Sequence, residues 1–229
     1  MGKLIYAADD EDDILDVLRE FLLNAGFDVR TFHTGDRLFE EFLKKPCDLA
    51  VLDIMMPGRD GLTICRELRK ISTVPIVILT ARESETDQIR GFMLGGDDYL
   101  TKPFSPSLLV VKIKALLRRA EMSSPVRTEA EFGDIALSSS EHDVVCGGKG
   151  IGLTMTEYSL MECLIAQPGT AVARNTLLDR VWGIDNDDIE TRVTDETVRR
   201  IRRKLTKAGS SVKIAAVWGY GYKLEAGDE

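Results

Sequence analysis

The chain has 229 residues with 44% hydrophobic content, which suits a globular protein of one large or two ordinary domains. No apolar run approaches the roughly 18 residues of a membrane span, and the N-terminus lacks the apolar region of a signal peptide, so we expect a cytoplasmic protein. The net charge of -8 argues against nucleic-acid binding by the whole surface, and the scattered cysteines, 4 in all, favour reduced thiols over disulfides.

Short apolar runs alternate with helical periodicity in the first half of the chain. The apolar runs predict strands, and the segments that follow them predict helices. The predicted strands are Leu4–Ala8, Asp28–Phe32, Leu49–Asp53, Val74–Ala81 and Asp98–Thr101. The predicted helices are Ile14–Leu22, Asp36–Leu43, Leu62–Ile71, Glu83–Leu94 and Ser107–Arg119. This alternation predicts a doubly wound parallel sheet of five strands, an α/β fold with helices on both faces.

Polar residues stand where the predicted strands end. Asp9 and Asp10 follow the first strand, and Asp53 ends the third. Thr80 lies at the end of the fourth strand, and Lys102 follows the fifth. Because parallel strands bring their carboxyl ends to one edge of the sheet, we expect these side chains to converge. Three carboxylates need a hard cation such as Mg²⁺, and an ammonium with a hydroxyl group beside them suits phosphoryl transfer.

The acids that follow this pair have a simpler interpretation. Glu11, Asp12 and Asp13 open the first predicted helix, where carboxylates complement the helix dipole. We therefore expect them to serve the helix and not the strand-end site.

The first half resembles the receiver domain of two-component response regulators, which has a flavodoxin-like fold. The resemblance spans residues 3–119 and rests on Asp9-Asp10-Glu11, Asp53, Met56-Pro57-Gly58, Thr80-Ala81 and Lys102-Pro103-Phe104. It implies that Asp53 accepts a phosphoryl group from a sensor histidine kinase. It also implies Mg²⁺ ligation by Asp10, Asp53 and the carbonyl of Met55, with Asp9 acting through water.

Three further residues have roles by the same resemblance. Lys102 is expected to pair with a phosphoryl oxygen, Thr80 to move towards the phosphoryl group, and Tyr99 to follow as the switch aromatic. The Lys102-Pro103 bond is a candidate cis peptide, since only proline makes that isomer cheap.

A phosphatase of the haloacid-dehalogenase type is an alternative enzymatic interpretation of a strand-end aspartate. Such enzymes carry a second aspartate two residues after the first. Met55 stands at that position here. We therefore favour a protein that is not an enzyme and carries the phosphoryl group as a signal.

The second half has a different pattern, and residues 120–130 between the halves have linker composition. Strand-like alternation in Phe132–Leu137 and Asp143–Cys146 precedes a capping box that starts at Thr154. Three helices follow: from Thr154 to Ala166, Asn175–Trp182 and Thr194–Ala208. A hairpin with glycines at its turn, residues 212–225, ends this half. Three helices and a terminal hairpin predict an α+β winged helix-turn-helix domain over residues 131–229.

The third of these helices is strongly basic. Val198, Ile201 and Leu205 form its apolar stripe, and at about 100° per residue the charged side chains fall on the opposite face. The charged residues are Arg192, Glu196, Arg199, Arg200, Arg203 and Lys207. Such a face suits phosphate contacts and base reading in a major groove. Glu196 either accepts from a cytosine amino group or pairs with Arg200 one turn later.

Residues 131–225 resemble the DNA-binding domain of OmpR/PhoB-type regulators. The resemblance rests on the following residues: Leu153-Thr154-x-x-Glu157, Leu177-Leu178-x-x-Val181-Trp182-Gly183, Arg192-x-x-Asp195, Arg199-Arg200-x-Arg202-Arg203-Lys204-Leu205 and Gly219-Tyr220-Gly221-Tyr222. It implies that residues 194–208 are the recognition helix and that the wing, residues 218–222, reaches the adjacent minor groove. It also implies that residues 183–191 face RNA polymerase.

The chain departs from this family at two DNA-facing positions. Thr197 stands where many relatives carry histidine, and Trp218 stands where many carry arginine. Since Trp218 has no charge, we expect the wing, including Tyr220, to pack on sugar and backbone.

A further departure concerns dimerisation, which relatives achieve through ion pairs between receiver domains. Gln88 and Leu108 stand at the position of a usual Lys–Glu pair. The remaining candidates are Asp98 with Lys112, and Asp97 with Arg118 or Arg119. Exposed pairs are individually weak, so the loss of one is expected to weaken the dimer without abolishing it.

Together, these patterns predict a transcription factor that dimerises on promoter DNA once Asp53 carries phosphate. Gln88 and Leu108 leave open a constitutive DNA-binding regulator whose receiver domain dimerises without phosphate.

Overall fold

A computed structural model of the chain describes residues 2–81, 95–121, 130–182 and 188–227. The chain divides into two compact units, Met1–Arg118 and Arg119–Glu229. The predicted helix Glu83–Leu94, most of the predicted linker and residues 183–187 lie outside the described residues. No helix in the four described ranges has both the length and the hydropathy that crossing a membrane requires.

The first unit contains one sheet, with all neighbouring strands parallel and in the order β2-β1-β3-β4-β5. Its strands are β1 (Leu4–Ala8), β2 (Asp28–Phe32), β3 (Leu49–Asp53), β4 (Ile76–Ala81) and β5 (Asp98–Lys102). Its described helices are α1 (Asp12–Asn24), α2 (Gly35–Lys44), α3 (Gly61–Ile71) and α4 (Pro106–Glu121). The predicted five-stranded, doubly wound parallel sheet is confirmed.

The central strands are buried because helices cover both faces of the sheet. All of β3 and the last four residues of β1 are buried. Tyr6, Leu52 and Ile78 belong to one core cluster with buried residues of α2 and α3. Val51 and Leu79 belong to a second cluster with buried residues of α1 and α4. Apolar side chains therefore fill both faces, and polar ones remain for the strand ends.

The second unit contains two small antiparallel sheets and three described helices. Its strands are β6 (Glu131–Phe132), β7 (Ile135–Ser138), β8 (Asp143–Cys146), β9 (Lys149–Gly150), β10 (Val172–Ala173), β11 (Lys213–Val217) and β12 (Gly221–Glu225). Its helices are α5 (Met155–Ile165), α6 (Arg174–Trp182) and α7 (Asp188–Ala208). The sheets have the orders β6-β7-β8-β9 and β10-β12-β11. The predicted stripe of Val198, Ile201 and Leu205 is buried.

The starts of the basic helix and of the fourth strand differ from the predicted ones, and most other bounds differ by no more than two residues. The basic helix α7 begins at Asp188 and not at Thr194, so part of the predicted polar loop is helical. The Asp-Ile-Glu sequence that suggested a loop also suits a first helical turn, where acids complement the dipole. Strand β4 begins at Ile76, two residues after the predicted start, because Pro75 has no N–H for the ladder.

Candidate functional site

The ends of four parallel strands bring an acidic cluster, a hydroxyl and an ammonium to one edge of the first sheet. Asp9 directly follows β1, and Asp53 is the last residue of β3. The β4 and β5 ladder pairs Thr80 with Thr101 and Ala81 with Lys102. Asp9, Asp53 and Thr80 are all at most 3% exposed. The predicted residues therefore meet at the predicted edge.

The Lys102 ammonium lies among three carboxylates. Its Nζ is 2.7 Å from Asp9 Oδ2 and 3.0 Å from Asp53 Oδ1. Glu11 Oε1 is 3.2 Å from the same nitrogen. One cation thus faces three acids, two of which are almost fully buried, and the cluster carries excess negative charge. We name Asp9, Glu11, Asp53 and Lys102, with the neighbouring Asp10, the strand-end cluster.

Glu11 is a member of this cluster that the sequence did not identify. Its backbone caps α1, but its side chain makes no capping hydrogen bond. The carboxylate reaches Lys102 instead, 91 residues along the chain. The interpretation of Glu11 as a helix-dipole acid is therefore incomplete, because no local pattern announces a partner on β5.

Oxygen donors suitable for a hard cation are grouped in the strand-end cluster. One carboxylate oxygen from each of Asp9, Asp10 and Asp53 lies within 4.8 Å of the others. Asp10 is exposed, so the group opens to solvent on one side. Such a set of hard oxygen ligands, with charge left over after Lys102, fits Mg²⁺. Met55, whose carbonyl is a further predicted ligand, is exposed beside this group.

Burial and charge oppose one another in this cluster. Burial raises the pKa of Asp53 above its usual range, and the hydrogen bond from Lys102 offsets this only in part. Burial alone lowers the pKa of Lys102, but its hydrogen bonds to Asp9 and Asp53 outweigh that effect and raise it. Lys102 is therefore charged at neutral pH, whereas burial disfavours the anionic form of Asp53.

Close backbone packing fixes the position of Asp53. A Cβ added to Gly61 would lie 2.0 Å from the Asp53 carbonyl oxygen, so only glycine allows α3 to start there. Ile54 N donates to Leu79 O at 3.0 Å and continues the β3–β4 ladder past Asp53. The Lys102-Pro103 bond is cis, as predicted. Tyr99, the predicted switch aromatic, is half-buried on β5 against the core cluster of α2 and α3.

In the second unit, α7 presents an exposed basic face. The side chains of Arg199 and Arg203 are 57% and 61% exposed, and Lys207 is also exposed. Glu196 Oε2 lies 3.4 Å from Arg199, and Glu196 Oε1 lies 3.8 Å from Arg203. Glu196 therefore pairs with Arg199 and Arg203 along this face, whereas the sequence suggested Arg200 as its partner. Arg192 lies in α7, and its side chain is outside the described part of the chain.

Two residues predicted on this face are buried. Arg200 is 5% exposed and Thr197 is 1% exposed. The Arg200 guanidinium faces the carboxylate of Glu157 on α5, with Nε 3.3 Å from Oε1. The prediction that Arg200 and Thr197 lie on the DNA-facing side is therefore wrong. Periodicity alone placed Arg200 there because its partner is 43 residues away in the sequence.

Glu157 is the centre of a second charged cluster. It closes the capping box of α5, accepting from Thr154 N at 2.8 Å. Lys204 Nζ lies 2.6 Å from Oε2, on the opposite carboxylate oxygen from Arg200. Burial raises the pKa of Glu157, but Arg200 and Lys204 outweigh it and lower the pKa below its usual range. We name Glu157, Arg200 and Lys204 the capping cluster.

The wing carries two exposed aromatic side chains at its tip. Trp218 is 97% exposed and Tyr220 is 53% exposed. They flank Gly219, whose φ of 70° lies in the left-handed region that glycine tolerates. An almost wholly exposed tryptophan is uncommon on a folded domain, so the tip presents an apolar surface to solvent.

Comparison with known proteins assigns both units to families. Residues 5–114 match the response regulator receiver domain, and residues 148–224 match the C-terminal domain of transcriptional regulatory proteins. The transcriptional regulatory protein ResD of Bacillus subtilis (strain 168) is 37% identical, over 98% of this chain and 97% of ResD. The chain belongs to the OmpR-type response regulators. The family predicted from the sequence is confirmed.

Two further proteins agree with this assignment. The regulatory protein VanR of Enterococcus faecium is 35% identical, over 98% of this chain and 100% of VanR. The solved structure of the response regulator DrrB, an OmpR/PhoB homolog of Thermotoga maritima, is 30% identical and covers 99% of this chain. That alignment covers 100% of DrrB with a TM-score of 0.51. This response regulator is therefore a transcription regulator of a two-component system.

The acids predicted to dimerise this response regulator have partners inside one receiver. Asp97 is 1% exposed, and its Oδ2 lies 2.5 Å from Arg69 Nη2. Asp97 is therefore engaged inside the receiver, and its pairing with Arg118 or Arg119 of a second copy stays a prediction. Asp98 does pair with Lys112, at 2.8 Å, but within the chain and with both side chains mostly buried. Sequence spacing could not identify Arg69, which reaches Asp97 from α3.

The other predicted dimer residues form a different surface. Leu108 and Val111 on α4 are 46% and 61% exposed, one helical turn apart. Arg118 is exposed near the end of the same helix. Gln88 lies outside the described residues. The described part of this face is apolar around Leu108, and the ion pairs next to it are internal.

Proposed function

We propose that Asp53 accepts a phosphoryl group from the phosphohistidine of a sensor histidine kinase. In this step an Asp53 oxygen attacks phosphorus, the P–N bond breaks, and the imidazole leaves with the bonding electrons. The observation that carries the proposal is the position of Asp53, which is 2% exposed at a strand end with Lys102 Nζ 3.0 Å away. A desolvated carboxylate beside a fixed ammonium suits attack on an anionic phosphoryl group.

Mg²⁺ is the cofactor that the oxygen donors fit. Asp9, Asp10 and Asp53 would hold it with the Met55 carbonyl, and bound Mg²⁺ would neutralise charge on the phosphoryl oxygens. Lys102 orients and neutralises one of these oxygens in this proposal. Thr80, buried on the adjacent strand, donates its hydroxyl to another. When Thr80 moves towards the phosphoryl group, the Tyr99 ring moves with it and changes the surface of the receiver.

The phosphoacceptor is tested by Asp53→Asn. We expect the variant to fold and to incorporate no phosphate from radiolabelled acetyl phosphate with Mg²⁺, because an amide is not a nucleophile of this kind. Asp16→Asn is the matched control, since Asp16 is an exposed acid of the same unit outside the strand-end cluster. Label that persists on the Asp53→Asn chain, or that is lost from the control, would refute the site.

The second unit supplies DNA binding in this proposal. The exposed face of α7 lies in a major groove, with Arg199, Arg203 and Lys207 on phosphates and base edges. Arg192 and Glu196 belong to the same helix, and Trp218 and Tyr220 contact sugar and backbone from the wing. RNA polymerase is the expected partner of the promoter-bound regulator.

Phosphorylation and DNA binding are coupled through self-association in this proposal. Phosphate on Asp53 favours a receiver surface that binds a second copy, and two linked DNA-binding units then gain avidity for paired half-sites. Selection of duplexes from a random library with the chain phosphorylated by acetyl phosphate tests this. Recovery of paired half-sites at a fixed spacing is expected, and recovery of single half-sites alone would refute the coupling.

A second function follows from the apolar α4 surface. Leu108 and Val111 are exposed while Asp97 and Asp98 are engaged internally, so this receiver can associate without a phosphate-dependent set of ion pairs. The regulator would then bind DNA constitutively as a dimer. Sedimentation with and without beryllofluoride and Mg²⁺ distinguishes the two. A monomer that dimerises only with beryllofluoride supports the first function, and a dimer in both conditions supports the second.

A further inference from the structure

Asp195 connects the recognition helix to the wing. Its Oδ1 accepts a hydrogen bond from the Tyr222 hydroxyl of β12 at 2.5 Å. The same oxygen accepts from Arg174 Nε, at the start of α6, at 3.0 Å. One carboxylate oxygen on α7 therefore accepts hydrogen bonds from a strand of the wing, β12, and from the start of α6. We name Arg174, Asp195, Arg202 and Tyr222 the wing anchor.

Arg202 makes a second connection between α7 and the wing. Its Nε and Nη2 donate to the Ile214 carbonyl of β11, at 2.9 and 2.6 Å. The guanidinium carbons of Arg202 and Arg174 also lie 5.7 and 4.9 Å from the centre of the Tyr222 ring. Both distances are within the range of cation–π attraction. Each strand of the hairpin is thus attached to α7 by one side chain.

The backbone next to the anchor leaves little freedom for movement. Arg174 N donates to the Tyr220 carbonyl at 3.0 Å. Strand β10 pairs with β12, with Val172 opposite Tyr222. A Cβ on Gly221 would lie 1.9 Å from the Val172 carbonyl oxygen, so the two strands approach as closely as backbone allows. Tyr222 is 4% exposed. Burial, together with the hydrogen bond to Asp195, raises the pKa of Tyr222 to about 12, so the hydroxyl keeps its proton as donor.

We propose that Asp195 and Tyr222 are positioning residues for DNA recognition, which hold the wing and the recognition helix as one rigid surface. This inference rests on the proposed DNA binding of the second unit. The basic face of α7 and the aromatic tip, Trp218 and Tyr220, then meet the duplex with their spacing already fixed. Arg174 and Arg202 serve this geometry and do not contact phosphate, although both are cations of DNA-binding elements.

Rigidity acts on specificity more than on total affinity. A wing that moves freely has to be ordered when helix and tip bind together, which costs conformational entropy. Contacts to a random duplex are mainly electrostatic and do not need both elements in register. Loss of the anchor should therefore weaken binding to a selected site and change binding to random DNA little.

Three variants of the full chain isolate the hydrogen bond. Asp195→Ala removes the acceptor, Tyr222→Phe removes only the donor hydroxyl, and Asp195→Asn keeps an acceptor oxygen at the same place. Glu225→Gln is the matched control, because it removes the 2.9 Å pair with Lys223 on β12 without touching the anchor. The probes are a duplex selected with the wild-type chain and a random-sequence duplex of the same length.

The expected result is a split between the two probes. Asp195→Ala and Tyr222→Phe should each lose about tenfold in affinity for the selected duplex and about twofold or less for the random one. The double variant should lose no more than Asp195→Ala alone, since without Asp195 the Tyr222 hydroxyl has already lost its acceptor. Asp195→Asn and Glu225→Gln should stay within about twofold of wild type on both probes.

Fluorescence of the DNA-free chain gives a readout that does not depend on binding. Trp218 lies at the wing tip, and Trp182, the other of the 2 tryptophans, is buried. With the Trp218→Phe signal subtracted, time-resolved anisotropy reports motion of the tip. Asp195→Ala and Tyr222→Phe should enlarge its fast component, and Asp195→Asn should not.

The outcomes separate this inference from the proposed function. If the wild-type chain binds no DNA, the proposed function fails, and the anisotropy still decides whether the anchor holds the wing. If the wild-type chain binds and Asp195→Ala keeps both its discrimination and its anisotropy, the anchor has no positioning role. An equal loss on both probes would also overturn the inference, because it would make Asp195 an ordinary determinant of affinity.

Discussion

Lys102 in the first unit and Glu157 in the second each lie at the centre of a largely buried charged cluster. Around Lys102, one ammonium faces Asp9, Glu11 and Asp53. Around Glu157, one carboxylate faces Arg200 and Lys204 and also completes a capping box. Both clusters combine carboxylates with cations, but acids are in excess around Lys102 and cations are in excess around Glu157.

The reversed ratio of charges distinguishes the strand-end cluster, a candidate functional site, from the capping cluster, which stabilises the fold. The pKa of Asp53 is raised, chiefly by burial, so its anion is destabilised in the folded chain. The pKa of Glu157 is lowered, because two cations outweigh its burial, so its anion is stabilised. A buried charge that is uncompensated without a ligand is typical of a functional site, whereas a buried charge with all its partners is typical of a structural ion pair. Neutralising the two acids should therefore have opposite effects on stability.

The largest effect is expected for Glu157→Ala. This substitution leaves the nearly buried Arg200 without its carboxylate and removes half of the capping box. Breaking such a pair should lower the free energy of unfolding of the second unit by about 3 to 5 kcal/mol. Urea unfolding followed by tryptophan emission measures it selectively, because Trp182 and Trp218 both belong to this unit.

Lys204→Ala provides the graded control for that measurement. Its side chain is 29% exposed, and Arg200 would still face Glu157. The loss should therefore be smaller than for Glu157→Ala. Equal losses for the two variants would show that the buried pair with Arg200 is not what holds the capping cluster together.

The opposite sign is expected for Asp53→Asn in the receiver. Removing a carboxylate whose burial is uncompensated should raise the free energy of unfolding by about 1 kcal/mol in the presence of EDTA. Calorimetry measures it, with the tryptophan signal identifying the transition of the second unit. Saturating Mg²⁺ should stabilise wild type more than Asp53→Asn, because binding to the folded state adds stability by mass action. A destabilised Asp53→Asn chain in EDTA would contradict the excess-charge interpretation.

Arg203 and Arg200 sharpen the contrast within one helix. Arg203→Ala should change the free energy of unfolding by about 0.5 kcal/mol or less and lower the salt slope of DNA binding by about one. Arg200→Ala should destabilise the second unit, because Arg200 is buried against Glu157. Fluorescence titrations of a selected duplex at several salt concentrations measure the slope. An unchanged slope for Arg203→Ala would remove Arg203 from the interface.

The residues that the sequence placed correctly depend on local pattern and chain direction. The apolar run Leu49–Asp53 ends at an acid, and parallel strands share their carboxyl edge, so Asp53 and Lys102 could be brought together without a structure. Strands β2 and β3 match their predicted bounds residue by residue. A buried strand is recognisable from its own apolar run, and the parallel direction of the strands predicts which residues meet at the sheet edge.

The residues that the sequence misplaced depend on partners far along the chain. Arg200 falls on the charged side of a helical projection, but Glu157 of α5 holds it inside. Asp97 was expected on a dimer surface, but Arg69 of α3 meets it. The wing anchor could not be predicted for the same reason, since Asp195 and Tyr222 are 27 residues apart. Periodicity describes one element and carries no information on which charge of another element approaches it.

The smallest effect is expected for Asp134, an exposed acid. It tests how much the stability gained from an acid with a lowered pKa depends on burial. Slight burial raises its pKa, but the Ser210 hydroxyl at 2.7 Å and the Ser211 N–H at 2.9 Å donate to it and lower the pKa to about 2. Because the folded pKa is depressed, this stability is present above the unfolded value of 3.8 and is lost as pH falls towards about 2.

Asp134→Asn should therefore lower the urea midpoint slightly at about pH 6, and the difference from wild type should shrink as the pH falls through about 3. Tryptophan emission again reports the transition, and Glu141→Gln, at an exposed acid of the same unit, should track wild type at every pH. Glu157→Gln should show a larger gap in the same titration, because its carboxylate is buried between two cations. A gap at Asp134 as large as that at Glu157 would show that hydrogen bonds alone, without burial, set the stability of such acids.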